Sequence, residues 1–315
     1  MMNDLFIPFY SATYSRKFLT DRYENNEIPQ AKTKSYQVCS SFMYHLQHGQ
    51  LYFNQASAAP IEIKPVLLFY GAVQLLKACI LTTDPSYPEN SQVLAHGVTT
   101  RKRKKATYRF LDDEVKIQKN GLFSHFMNKM FHMKHLEGDK YQMVTLFHHI
   151  ADMHPLFKRL TNKSLSFKGN VYKNTILLSP TILDSYHMTV NRFEQYLEAN
   201  TVHKGAQKVK VSEHKDRVEV QLSTLPPSWS SNPWLYDVEG NIYLLQEKEQ
   251  SNSHSLPELA THFLLLYNLS MICRYEAEWW GDLIHTFDGV DFPYISHYLG
   301  VVEQKVPKII SSYLE

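Results

Sequence analysis

The hydrophobic pattern in the first third of the chain predicts two helices. Within residues 30–52 the apolar positions recur at spacings of three, four and seven, with polar residues between them, as in an amphipathic helix. Pro65 then suits the first position of a second helix over residues 65–81, which is apolar nearly all round. Because a helix without a polar face has to be buried, we expect residues 65–81 to be central to the core.

The middle of the chain alternates between strand and helix signals. Residues 208–212 and 217–222 alternate apolar with charged positions around a tight turn, which predicts a hairpin with one solvent-exposed face. A second hairpin is predicted where Glu239-Gly240-Asn241 separates two apolar segments. The remaining predicted strands are 108–110, 114–118 and 171–178, and the predicted helices between the strands are 122–135, 140–153 and 180–200.

The last third returns to helical periodicity. Ser255 can cap a helix over residues 256–284, and residues 292–299 and 301–314 predict two more helices. Helices at both ends with hairpins between them indicate an α+β fold that is mainly α. We therefore expect a single domain over residues 1–315, with a helical body from 1–100 and 255–315 and a mixed α/β middle region from 101–254.

Composition excludes several classes of protein. Apolar residues make up 43% of the chain and charged residues 20%, an ordinary globular mixture that excludes a wholly disordered chain. With 11 glycines in 315 residues, architectures built on glycine-rich nucleotide loops are not favoured. Three widely spaced cysteines without a CxxC pair fit a reducing cytoplasm better than secretion, a zinc knuckle or a redox site.

The sequence also predicts a cytoplasmic location. Residues 1–10 lack the basic start and long apolar stretch of a signal peptide. The longest apolar runs fall short of the roughly 18–20 residues that a membrane span needs, so we expect no membrane contact.

A polar stripe on the predicted central helix is the first candidate site. Tyr70, Gln74 and Lys77 stand at positions i, i+4 and i+7, so they share one face of an otherwise apolar helix. An ammonium group cannot be buried unpaired without a large cost. Lys77 must therefore reach solvent, form an internal salt bridge, or meet a ligand.

The second candidate follows the apolar run 263–273. Arg274 there precedes Tyr275, Glu278 and Trp279. An arginine among aromatic side chains suits a bidentate contact with a carboxylate or phosphate. The alternative is an internal ion pair, because Arg274 and Glu278 have the i, i+4 spacing of a helical pair.

Histidines and a basic run complete the candidates. Six of the 16 histidines fall within residues 125–154, but without an HExxH or Glu-x-x-His pattern we interpret them as surface imidazoles and predict no metal site. His96 precedes Gly97 in a predicted turn near the end of the central helix. The basic run consists of Arg101, Lys102, Arg103, Lys104 and Lys105.

The basic run dominates the charge balance of the chain. The sequence holds 33 basic and 31 acidic residues, a formal charge of +2. Without the run, 28 basic against 31 acidic residues leave −3. Such a run can contact phosphates or an acidic partner, or form a solvated loop. The sequence carries no helix-turn-helix, RNA-recognition or knuckle motif beside it, so nucleic acid is not the favoured partner.

Motifs of common enzymes are absent from the sequence. It contains no GxSxG nucleophile elbow, no GxxxxGK[ST] phosphate loop and no GxGxxG fingerprint. The sequence alone therefore supports neither a catalytic residue nor a cofactor.

The chain resembles the YaaC-like family of Gram-positive bacteria from end to end. The resemblance rests on residues 59–81 (APIEIKPVLLFYGAVQLLKACIL), on His96-Gly97, and on residues 263–280 (FLLLYNLSMICRYEAEWW). It implies a cytoplasmic bacterial protein whose gene often lies beside that of IMP dehydrogenase, and it implies no particular reaction. HEPN ribonucleases, another helical group, carry Arg-x4–6-His, and no arginine here has a histidine at that distance.

Two functional hypotheses follow. The first is a non-catalytic binding or regulatory protein whose partner is IMP dehydrogenase or a purine nucleotide, contacted through Lys77, Arg274 and the basic run. The alternative is a HEPN-like or other phosphodiester-acting enzyme that cleaves RNA, with His96 as a general acid or base. Both require Tyr70, Lys77, His96 and Arg274 to meet in one place, and if they do not, a purely structural role remains.

Overall fold

The computed structural model describes residues 5–100, 108–200, 208–230, 233–246, 256–286 and 289–315. The chain forms two compact units. The first comprises Met1–Gln142 and His262–Glu315, and the second comprises Met143–Thr261. Residues 108–142, which lie in the predicted middle region, thus belong to the first unit.

Within the described residues, helices dominate and the strands are short. The helices are α1 (Ala12–Asn25), α2 (Ala31–Ala58), α3 (Lys64–Leu81), α4 (Leu122–Phe131), α5 (Met143–His148), α6 (His154–Thr161), α7 (Thr181–Ser185), α8 (Val190–Asn200), α9 (Glu258–Tyr275), α10 (Ala277–Thr286) and α11 (Asp291–Leu314). The strands are β1 (Val98–Thr100), β2 (Glu114–Ile117), β3 (Lys140–Gln142), β4 (Ser166–Tyr172), β5 (Thr175–Leu178), β6 (Val209–Glu213), β7 (Val218–Leu222), β8 (Trp234–Tyr236) and β9 (Ile242–Leu245). The predicted α+β, mainly α, fold is confirmed.

Helices α2 and α3 pack closely because glycines stand where they meet. A methyl group added at Gly49 of α2 would lie 2.6 Å from Cγ of Leu75 and 3.2 Å from the carbonyl oxygen of Gly71. Leu75 is itself fully buried, so it has little room to move. This close approach brings the polar stripe of α3 against α2.

Replacing Gly49 with alanine is expected to lower the free energy of unfolding by about 1–3 kcal/mol, because the added methyl overpacks the α2–α3 contact. The matched control is Gly300→Ala in α11, where an added Cβ meets no atom within 4 Å. The control should raise the free energy of unfolding by about 0.5–1 kcal/mol, since alanine favours helix over glycine. Urea titrations measure both, and stabilisation by Gly49→Ala would contradict the packing described here.

The core of the first unit is aromatic and is built around α3 and α9. Phe263 of α9 lies 5.5 Å from Phe69 of α3 and 5.7 Å from Phe126 of α4, measured between ring centroids. Twelve residues of α3 are buried, which fits the predicted central position of residues 65–81. Aromatic rings at these separations add to the gain from apolar burial.

A three-stranded antiparallel sheet completes the first unit, in the order β1-β2-β3. Two local predictions were wrong here. Residues 108–110 form no strand, because the backbone N–H groups of Phe110 and Leu111 donate to the carboxylate of Asp291 instead of to a neighbouring strand. Residues 140–142 are strand β3 and not helix, since Tyr141 is buried between two exposed neighbours in the period of a strand.

The second unit holds a six-stranded antiparallel sheet in the order β6-β7-β5-β4-β9-β8. The two predicted hairpins form, β6 with β7 and β8 with β9, and β4 with β5 is a third. The predicted helix 180–200 divides into α7 and α8 at His187, whose φ of 49° is left-handed and ends the first helix. Buried residues of α8, Phe193 and Leu197, pack in the same core as the sheet.

The C-terminal helices differ from the prediction in their breaks. The predicted helix 256–284 divides at Glu276 into α9 and α10. The predicted helices 292–299 and 301–314 are one helix, α11, which runs through Gly300. Its buried face continues across that glycine from Leu299 to Val302, and this burial outweighs the weak helix preference of a single glycine.

Candidate functional site

The polar stripe of α3 is only partly buried, and Lys77 has no partner on it. Within the described part of the chain, Lys77 forms no ion pair and no hydrogen bond. Burial lowers the pKa of Lys77, because a partly desolvated ammonium group loses the stabilisation of water. The internal salt bridge that the sequence allowed is therefore absent among the described residues, and the partly exposed ammonium group of Lys77 can contact solvent or a ligand.

Arg274, near the C-terminal end of α9, reaches the same place. Its Nη1 donates to Oη of Tyr70 at 3.4 Å, and its Cζ lies 5.9 Å from the centroid of the Tyr70 ring. Its Nε donates to the carbonyl oxygen of Ser270 at 3.1 Å. The aromatic and main-chain contacts orient the guanidinium group without neutralising it.

The predicted ion pair between Arg274 and Glu278 does not form. Helix α9 ends at Tyr275, and Glu278 belongs to α10, which begins after the break at Glu276. The i, i+4 spacing therefore does not place the two side chains on one helical face. Among the described residues, Arg274 has no carboxylate partner.

His96 lies between the arginine and the aromatic core. Its ring centroid is 6.4 Å from that of Tyr70, 4.9 Å from that of Phe69 and 5.7 Å from that of Tyr267. Burial lowers the pKa of His96, and the positive charges of Arg274 and Lys77 lower it further. The imidazole is therefore neutral at pH 7, and its buried Nδ1 has no partner in the described structure.

The predicted turn at His96-Gly97 holds that imidazole in position. Gly97 has a φ of 78°, and a Cβ there would lie 3.0 Å from Cα of Gly121. The carbonyl oxygens of His96 and Gly97 accept from the N–H groups of Phe123 and Gln118. Only glycine satisfies both the left-handed backbone and the close approach.

His45 of α2 also belongs to the site, and the sequence reasoning missed it. Its Nδ1 lies 2.6 Å from Oε1 of Gln74. Burial lowers the pKa of His45; the hydrogen bond to Gln74 opposes this shift, and the charge of Lys77 adds to it. The only signal in the sequence was a histidine on an amphipathic helix, because its partner lies on another helix.

We define the basic cluster as His45, Lys77, His96 and Arg274, with Tyr70 and Gln74 between them. None of its four basic side chains pairs with a carboxylate among the residues described. Neighbouring positive charges without counter-ions repel one another, so an anion that enters is stabilised. The cluster offers the donors that an anion such as phosphate needs.

The two predicted aromatic residues of the site occupy different places. Tyr275 is 57% exposed, and its ring centroid lies 5.2 Å from Cζ of Arg274, at the margin of the basic cluster. Trp279 lies on α10 and packs edge-on with Tyr108 at 4.7 Å between centroids. It makes no hydrogen bond or ring contact with the basic cluster. The basic run, Arg101–Lys105, lies outside the described residues.

The histidines of residues 125–154 serve different local roles. His125 is buried, and its Nε2 lies 3.0 Å from Oδ2 of Asp84. In the second unit, Nδ1 of His154 lies 2.7 Å from Oγ of Ser166. These two are not the surface imidazoles predicted, because each is held by a polar partner inside its unit. No group of three or more His, Cys, Asp or Glu side chains able to hold a metal ion occurs among the described residues.

Acidification is expected to destabilise the protein through His148. Burial, with His149 and His154 nearby, lowers the pKa of His148 to about 4, whereas an unfolded histidine titrates near 6.5. Between pH 6.5 and pH 4 the unfolded chain therefore binds more protons, and the free energy of unfolding falls by about 3 kcal/mol from this group. Urea titrations across that range measure the slope.

The matched variants for this test are His148→Gln and His214→Gln. The first should flatten the loss of stability between pH 6.5 and pH 4, because the titrating group is gone. The second removes a histidine that is 45% exposed on a turn and should leave the slope unchanged. Equal slopes in wild type and His148→Gln would refute the assignment.

Among the residues that the structure describes, one helix has the length and composition of a membrane span. Residues Lys64–Leu81 of α3 are long and apolar enough to cross a bilayer by length and composition, and 67% of that window is buried inside the protein. The core helix of a soluble protein has the same properties, so this is weak evidence for a membrane.

Comparison with known proteins gives a family for the chain. The family described as "YaaC-like Protein" matches residues 7–314, nearly the whole length. No curated protein and no solved structure matches significantly. The matched range includes α3, His96-Gly97 and the end of α9, where the basic cluster is built. The chain therefore belongs to the YaaC-like family.

Proposed function

We propose that this protein is a non-catalytic binding protein of the bacterial cytoplasm that holds the phosphate group of a purine nucleotide at the basic cluster. The observation that carries the proposal is the meeting of Lys77, His96 and Arg274 without a carboxylate partner. The choice of a purine nucleotide as the ligand rests on the gene neighbourhood that the family resemblance implies. The role is regulatory, with IMP dehydrogenase as the partner enzyme.

The donors of Arg274 are available to a phosphate. Its hydrogen bond to Tyr70 is long, at 3.4 Å, and its Nη2 contacts the sulfur of Met271, a weak acceptor. A phosphate would replace both with charge-assisted bonds, and the planar guanidinium can bind it in a bidentate manner. Lys77 supplies a second positive charge, and partial burial reduces the screening of both.

Calorimetry with inosine monophosphate and inosine tests the phosphate requirement. We expect saturable binding of the monophosphate in the micromolar range that is weakened by added salt and by Arg274→Gln, whereas any binding of inosine should be unaffected by that variant. Inosine monophosphate that fails to bind at millimolar concentration, or a dissociation constant that does not change with salt, would refute the proposal.

The partnership with IMP dehydrogenase has its own test. The two purified proteins should elute together in size-exclusion chromatography at micromolar concentrations, and neutralising Arg101–Lys105 should weaken the complex. Separate elution both with and without inosine monophosphate would rule out the partnership while leaving nucleotide binding to be judged by calorimetry.

One observation favours the alternative, a phosphodiester-acting enzyme on RNA. A neutral imidazole at His96 beside two cations is suited to take a proton next to a bound phosphate. This alternative predicts cleavage of a mixed RNA pool that disappears in the His96→Ala variant. An uncleaved pool, together with nucleotide binding, assigns the cluster to binding alone.

A further inference from the structure

The first unit holds a cavity whose lining residues lie outside the basic cluster. This cavity of about 330 Å³, which we name the aromatic cavity, is lined by Tyr108, Arg109, Trp279, Leu283, Val290 and Asp291. Small-molecule sites usually occupy about 300–1,000 Å³. None of these six residues belongs to the basic cluster, so the two sites can be tested separately.

Hydrogen bonds hold one wall of the aromatic cavity in place. Asp291 is 5% exposed and accepts from the backbone N–H of Phe110 at 2.6 Å. Oη of Tyr108 donates to Asp113 at 2.7 Å, and the same carboxylate oxygen accepts from the buried Asn268 of α9. The wall is therefore preorganised, which lowers the cost of binding.

Aromatic side chains also line the cavity. The rings of Trp279 and Tyr108 meet at 85° and 4.7 Å, so a planar ligand can lie against one ring and meet the edge of the other. The indole N–H of Trp279 has no hydrogen-bond partner among the described residues. Because tryptophan is a donor only, a ring nitrogen or carbonyl oxygen of a ligand would satisfy it.

Polar groups at the cavity define the ligand class further. The carboxylate of Asp291 has about four acceptor positions and uses two, on Phe110 and Leu111, so it can accept from a ligand N–H. Arg109 is 55% exposed, stands 3.7 Å from Asp112 and has a positive charge that also acts on Asp291. This charge can still attract the face of an aromatic ligand. A heteroaromatic ring with both donors and acceptors matches these groups.

We propose that the aromatic cavity binds a planar heteroaromatic ring that carries both hydrogen-bond donors and acceptors, such as a purine, independently of the basic cluster. The ring lies against Trp279 and Tyr108, a ring acceptor takes the indole N–H, and a ring or amino N–H donates to Asp291. The site requires no phosphate on the ligand, which separates it from the basic cluster.

Saturation-transfer NMR and calorimetry with adenosine, using the full-length protein, test this proposal. We expect saturable binding, which Trp279→Ala weakens about 5- to 150-fold, the range found when an aromatic stacking partner of a base is removed. Two controls should bind adenosine as the wild type does: Tyr36→Ala, which removes a ring that is 70% exposed elsewhere, and Arg274→Gln in the basic cluster. Ribose alone should not bind.

Two results would overturn the proposal. One is the absence of adenosine binding to the wild-type protein at 5 mM; the other is an unchanged dissociation constant in a folded Trp279→Ala protein. If that variant does not fold, Val290→Glu replaces it, because Val290 is 51% exposed at the cavity and can change without disturbing the core. The introduced carboxylate should weaken adenosine binding at least fivefold, and unchanged affinity would equally refute the site.

Discussion

Replacing Asp84 with alanine is expected to lower the free energy of unfolding by about 3–5 kcal/mol, the range for removing one partner of a buried ion pair. Asp84 is 5% exposed, and one of its carboxylate oxygens lies 3.0 Å from Nε2 of His125 and 3.1 Å from Nζ of Lys129. These contacts join the segment after α3 to α4. Urea denaturation measures the change.

The contribution of Asp84 can also be recognised from how the free energy of unfolding depends on pH. Burial alone would raise the pKa of Asp84, but hydrogen bonds from His125, Lys129 and the backbone of Ser86 lower it to about 2. The group therefore stabilises the fold fully above its unfolded pKa of about 3.9, and this contribution is lost as the pH falls towards 2. The Asp84→Ala protein should lack this loss between pH 4 and pH 2.

Glu89→Ala is the matched control for Asp84→Ala. Glu89 contacts the same Lys129, at 2.9 Å, but its side chain is 44% exposed. An exposed pair contributes about 0–1 kcal/mol, so this variant should lose little stability. If both variants lose equally little, the buried carboxylate does not hold the segment after α3 against α4.

The second large effect is expected on ligand binding when the cations of the basic cluster are removed. Arg274→Gln and Lys77→Gln should each weaken binding of inosine monophosphate, the former by about 10- to 150-fold. This factor corresponds to the roughly 1.5–3 kcal/mol of one charge-assisted hydrogen bond. Both side chains are only partly buried and neither has an acidic partner among the described residues, so the variants should fold as the wild type does.

Lys140→Gln is the control for removal of charge as such. Lys140 lies on β3, is 51% exposed and pairs with Glu114 at 3.0 Å. It changes the net charge by the same amount and should leave the dissociation constant of inosine monophosphate unchanged. Equal weakening in all three variants would mean that the phosphate is attracted by overall charge and not by the basic cluster.

Much of the fold could be predicted because its signals are local. The apolar face of α2, the burial of α3 and the hairpin of β6 with β7 follow from spacing within one segment. The errors arose where a distant residue decided the outcome. The turn at residues 110–112 is formed against Asp291, which stands 181 positions from Phe110 in the chain.

The candidate site likewise combines residues that a local pattern predicts with contacts that it does not. Tyr70, Gln74 and Lys77 share a face because of helical periodicity alone, so the sequence identified them together. Arg274 meets Tyr70 across 204 positions, and His45 meets Gln74 across two helices, and no local pattern determines such meetings. Proximity in sequence groups Trp279 with Arg274. Because the helix breaks at Glu276, Trp279 lies on α10 and packs against Tyr108 instead.

The sequence by itself determined the family, the mainly helical α+β class, and most of the residue types that the basic cluster contains. The tertiary structure decided which of them meet: the glycine contact between α2 and α3 sets His45 against Gln74, and the end of α9 leaves Arg274 without Glu278. The physical reason is the distance along the chain over which each kind of interaction acts. Helix and strand periodicity is encoded by neighbours a few residues apart, whereas charge pairing depends on how whole elements pack.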